Sequence, residues 1–308
     1  MFTGTTSKGN SGYYGVRTGH STRGKGGRIQ LVVGKGDSSV GGDIIVSAGE
    51  TTDSYTGGYV SMQSGYSTLK TSGRVTLRTA NSGAYGVSGH IGMRTGTTSA
   101  GSSGAFLMET GEATGGHGGN IEAVVGSGTN RPDNGDQNGG NIIQTAGEST
   151  DRASWGGDVK ITGGLGSSKY NSHGGDGGKV FIDGGEARGG HETKDIGGDQ
   201  QWTGGLAAYG TGGSILMTTG FGALTSSGYI SVTSANGGRL GSGGGVSGSV
   251  ALETGTSSKG NSGRLAIMTG PAKKGHGGDQ RVLVGTGDSG DGGRVVLVAG
   301  ETIAAAKA

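Results

Sequence analysis

Four carboxylates, Glu109, Glu122, Asp183 and Glu253, sit at polar positions inside stretches that alternate apolar and polar residues. Carboxylates on one face could perform acid–base or glycosidic chemistry, but only where two of them converge on one bond. These four fall in different repeats and on different expected faces, so no catalytic residue and no enzyme activity is expected. His117, His173 and His276 each precede a glycine doublet. Histidines could bind a metal if several met at one point, but whole repeats separate these three. Asp176-Gly177, Asp291-Gly292 and the loop Asp133 to Asp136 carry the acidic-glycine texture of calcium loops. The nonapeptide period of calcium-binding β-helices is absent, so no metal and no cofactor is expected. Ladders of outward Thr would suit ice binding. The outward pairs are instead mixed, as in Gln30 and Val32 or Lys160 and Thr162. Trp202 occupies an inward position and reads as core. Trp155 lies in a loop and reads as a contact residue or a cover for its neighbour.

These residues are positioned by a repeat. The chain has 308 residues, 78 of them Gly and 2 Pro. That is far above the usual glycine share of about 7%, yet the glycine is patterned, which excludes a plain disordered linker. A doublet [GS]-G begins each copy, followed by x-Φ-x-Φ-x-small-G with Φ apolar. Eighteen copies run from Ser11, Gly26 and Gly41 to Gly277 and Gly292. Numbering each copy from its doublet, positions 4 and 6 are the bulky inward ones, position 8 is small and position 9 closes the motif. Position 4 is apolar except at Gln200 and Gln280, and position 6 except at Gln144. Position 9 is Gly except at Ala80 and Ala235.

Alternation of period two predicts strands with one buried face. The glycines are expected to supply positive φ at the bends, and their density excludes helix. Every copy carries its motif in the same N-to-C order, which favours parallel stacking. Every third loop is alike: Thr5-Thr6-Ser7-Lys8, Glu50-Thr51-Thr52-Asp53, Thr97-Thr98-Ser99, Glu148-Ser149-Thr150-Asp151 and Thr256-Ser257-Ser258-Lys259, with Leu206-Ala207-Ala208 the exception. The expected fold is therefore all-β: a single parallel β-solenoid with three strands per coil and about six coils. Two strands per coil and about nine coils is the alternative. The solenoid would span residues 1–300, with 301–308 an Ala-rich tail, cap or linker.

On such a coil the long loops Ser127 to Asn138, Glu186 to Ile196 and Asn236 to Val246 would line one edge. Insertions on one face often bind ligands. The candidate binding residues on that ridge are Arg131, Asp133, Asp136, Arg188, His191, Glu192, Lys194, Asp195 and Arg239. The net charge is +2, from 25 basic and 23 acidic residues without like-charge runs. Neither nucleic acid nor membrane insertion is expected as a mode of binding. There is no Cys, hence no disulfide.

The repeat, as in Gly41-Gly42-Asp43-Ile44-Ile45-Val46-Ser47-Ala48-Gly49, resembles the Gly-rich β-solenoid repeats of fibre and surface proteins, including those of microalgae. That resemblance implies an extracellular or cell-surface setting, with the targeting segment outside this chain. It carries over no binding or catalytic residue. The function expected is a structural fibre or filament module joining head to tail through uncapped terminal rungs. The alternatives are an adhesion or glycan-binding module using the loop ridge and, third, an ice-binding protein.

Overall fold

The computed structural model describes residues 3–38, 40–128, 138–168, 174–189, 194–238 and 245–300. Two features of the glycine doublet organise it. The first doublet residue has open space or only ordinary contact where a Cβ would stand. The second does not: at all eighteen doublets a Cβ there would meet position 8 or 9 of the preceding repeat within 3.9 Å. At Gly42, Gly140 and Gly293 it would stand 2.7, 2.7 and 2.6 Å from Val33, Val125 and Val284. At Gly178, Gly198 and Gly213 it would stand 2.8 Å from a backbone nitrogen. This is why position 1 accepts Ser and position 2 is always Gly. The closing glycines have nothing within 4 Å, which is why Ala80 and Ala235 are tolerated there.

Each repeat therefore closes on the next through one junction, tail to head. In seven junctions the second doublet glycine donates its N–H to the carbonyl of the previous closing glycine. Where that bond forms, its length rises with the size of position 8; at Thr79, Thr95, Ser234, Thr254 and Thr269 it does not form among the described residues. It is 2.8 Å where position 8 is Gly163, Gly184 or Gly204, 2.9 Å at Ala48, Ser64 and Ala146, and 3.2 Å at Thr219. Where position 8 is Val33, Val125 or Val284 no such bond forms among the described residues. Thr18 and Thr110 use their hydroxyls instead, donating to the carbonyls of Gly27 and Gly119 at 3.4 and 3.2 Å.

At two junctions the consecutive repeats run in opposite directions. Gly184 faces Gly198, and two residues inward the Gln200 amide donates to the Ile182 carbonyl. Beside Thr269 and Gly278, Gln280 donates to the Ile267 carbonyl at 2.9 Å. The two polar exceptions at position 4 thus share one role: each ties its repeat to position 6 of the repeat before.

Among the described residues there is no helix and no strand. The expected parallel β-solenoid is overturned in both its three-strand, six-coil form and its two-strand, nine-coil form. The β-helical class goes with it. The reason lies in the motif. Its head and tail fit each other, so every junction joins tail to head whichever way the segments point, and uniform polarity does not demand parallel neighbours. One backbone bond at each of seven junctions, and none at the other described ones, is also far short of a ladder. The likeness of every third loop has a local cause. Thr6 and Thr98 donate to the carbonyls two residues on, at 2.7 and 2.9 Å. Asp53 and Asp151 each accept from the next backbone N–H at 2.7 Å. These are hydroxyl and carboxylate turns, not the sides of a coil.

Positive φ is likewise a loop property. It occurs at Gly9 and Gly260, one residue after the Thr/Ser-rich turns, at Gly101, two residues after Ser99, at Gly238 and Gly290, and at Ala153 and Lys274, but at no described doublet or closing glycine.

The chain divides into Met1–Gln144 and Thr145–Ala308, the boundary falling inside the repeat that begins at Gly139. The first holds the Val33 and Val125 junctions; the second holds the three all-glycine junctions and both glutamine ties. In both, alternation survives as a difference in exposure at some repeats and is reversed at others, as at Leu297, 92% exposed against 69% for Val296. Ile44 is 58% exposed against 83% for Ile45, and Val180 and Ile182 are 48% and 53% against 78% for Phe181. No described hydrophobic residue is buried. The accessible area is 32553 Å² for 30.0 kDa. A compact protein of that mass exposes about 12,000 Å² and a fully unfolded chain about 43,500 Å². Among the described residues the expected aliphatic core is absent: their inward side chains face water.

Candidate functional site

The residues expected to form a loop ridge are only partly on view. Arg131, Asp133, Asp136, His191, Glu192 and Arg239 lie outside the described residues, as does His173. Arg188 is described, and its Nε and a terminal guanidinium nitrogen both donate to Glu186 Oε2, at 2.9 and 2.7 Å. Both side chains are largely exposed, so the pair contributes about 0–1 kcal/mol. The Asp195 carboxylate lies against Gly189, where a Cβ would overlap it. Asp195 thereby draws the end of its loop back to the start. Lys194 is exposed beside it. The shared edge that would have aligned this loop with its two counterparts depended on the three-sided coil.

The tail-to-head register brings together a pair that comparison across three repeats separates. Asp183 is position 7 of its repeat and Asp199 is position 3 of the next. Both line a concavity of about 440 Å³ with Ile182, Gln200, Gln201 and Trp202. Asp199 and Gln201 were not among the expected site residues. Their signal is the pairing of position 3 with position 7 of the preceding repeat, which becomes readable once the junction is known. Trp202, expected in a core, is 59% exposed at the wall of this concavity. Glu253 and Arg264 occupy the corresponding positions 7 and 3 further along. Glu109 and Glu122 are exposed and line neither this concavity nor two others. The other two, of about 420 and 740 Å³, are formed by single stretches, Arg78–Asn81 and Ser82–Val87.

His117 and His276 are exposed in separate loops. Among the described residues no three His, Cys, Asp or Glu gather as a metal would require, and no helix is long and apolar enough to cross a membrane. Thr18 and Thr110, which an ice-binding ladder would need outward, face the following repeat.

Comparison with protein-family models, with curated proteins and with solved structures returns no match.

Proposed function

We propose that this chain is a structural module that self-associates into a fibre or filament, in an extracellular or cell-surface setting. One observation carries the reading: repeat after repeat presents apolar residues at positions 4 and 6, and not one described is buried within the chain. Contiguous apolar exposure on this scale marks a surface meant for contact. The near balance of charge, +2 net, opposes association little. The test is sedimentation velocity over a concentration series with electron microscopy of the same samples. Concentration-dependent growth into elongated particles supports the reading; a monodisperse monomer at every concentration removes it.

A second reading, adhesion through a glycan, is supported by the concavity at Trp202. An aromatic ring beside Asp183, Asp199 and Gln201 offers a stacking face and hydrogen-bonding groups for a sugar ring. Pull-down on insoluble polysaccharides, with Trp202→Ala as control, decides it. Capture lost in the variant supports the reading; capture equal in both proteins, or in neither, dismisses it.

A further inference from the structure

We infer that positions 4 and 6 form a copy-to-copy interface, on which a second copy of this chain lies face to face. The inference rests on the self-association proposed above and names the surface that performs it, which is lateral and not the end of the array.

Three observations carry it. The first is chemical segregation. Across the eighteen repeats no charged residue stands at position 4 or 6; the exceptions to apolar character are Gln144, Gln200 and Gln280. Charges sit at positions 3, 5 and 7 and in the loops, as the pairs Asp279–Arg281 and Glu186–Arg188 illustrate. Covering this face therefore removes no charge from water, which is the costly part of burial.

The second is area. The chain exposes 32553 Å², roughly 20,000 Å² more than a compact protein of its mass. A stable interface needs about 1,600 Å² in total. The exposed apolar residues supply that need many times over, in Met1–Gln144 and in Thr145–Ala308 alike.

The third is period. The face recurs every 15 or 16 residues at most repeats and every 17 to 21 where loops expand, and each repeat meets the next through the same tail-to-head junction. A partner must match that interval at successive repeats or leave gaps. A second copy matches it by construction, and it brings the same uncharged surface, as a self-complementary contact requires.

The absence of Cys makes the test clean. Ile44→Cys and Val250→Cys place single thiols on the face; Ile45→Cys places one on the opposite side of the same segment. Each full-length variant is treated with a short bismaleimide at a concentration where the parent protein is oligomeric by sedimentation. The expected result is covalent dimer from Ile44→Cys and Val250→Cys, with loss of that product for Ile45→Cys. Cross-linking at all three sites alike, or only at Ile45→Cys, overturns the face while leaving self-association standing. Oligomers with no cross-link at position 44 or 250 do the same. A parent protein that stays monomeric, with thiols at 44 and 250 shielded from maleimide, means the chain covers its own face; that result ends both this inference and the proposed function.

Discussion

Gly198 and Gly19 illustrate two different reasons for glycine. At Gly198 an added Cβ would stand 2.8 Å from the Gly185 nitrogen, whereas at Gly19 nothing lies within 4 Å. Gly198→Ala is expected to destabilise its junction by about 1–3 kcal/mol, the usual cost of overpacking. Gly19→Ala is expected to be neutral or to stabilise by up to about 1 kcal/mol, through the unfolded chain. Limited proteolysis at the neighbouring loop measures both. The loop glycines form a third class. Gly9, Gly101 and Gly260 have φ of 88°, 94° and 104° in open space, so Ala there meets backbone strain alone, about 1–2 kcal/mol. Asn, which adopts this region more readily, should recover part of that loss. Equal effects of Ala and Asn would argue against this cause.

The element of this molecule is the junction. Its bond lengthens from 2.8 to 3.2 Å as position 8 grows from Gly to Thr. Gly163→Ala would put a Cβ into the Gly178 carbonyl, and the Gly178 amide should then exchange with solvent about two- to tenfold faster, as loss of one hydrogen bond implies. Amide exchange by NMR reads this directly; unchanged exchange at Gly178 contradicts the packing described. Gln280→Ile separates two roles. It removes the tie to Ile267, loosening that junction by about 0.5–1.5 kcal/mol, while extending the apolar run of position 4, which the proposed interface predicts will strengthen self-association.

Much of this element was legible in the sequence. The repeat boundaries, the two-residue alternation and the tolerance of Ser at position 1 and Ala at position 9 all have structural counterparts. Direction was not legible, because a motif whose tail fits its own head reads the same for parallel and opposed neighbours. The three-repeat likeness of Thr5–Lys8 and Thr97–Ser99 was real, but it records a shared hydroxyl turn. The same misreading hid Asp199 from Asp183: the two meet across one junction, not across a coil.

At the scale of the molecule, the unburied face sets the thermodynamics. Unfolding one chain would expose about 11,000 Å² beyond the 32553 Å² already open, against about 32,000 Å² for a compact protein of this mass. The monomer's denaturant slope and unfolding heat capacity should be about one third of ordinary values, since both scale with newly exposed surface. The proposed assembly predicts larger values of both in concentrated samples. Calorimetry on dilute and concentrated samples checks this, and a full-sized heat capacity in the dilute monomer would mean that a core exists within one chain.

The most direct test of the account is the nuclear Overhauser contact of the Thr110 γ-methyl, which lies 3.4 Å from the Cβ direction of Gly119 in the following repeat. The tail-to-head junction predicts a strong cross-peak between that methyl and the Gly119 α-protons. A methyl that instead reports a residue three repeats away, with no cross-peak to Gly119, would contradict it.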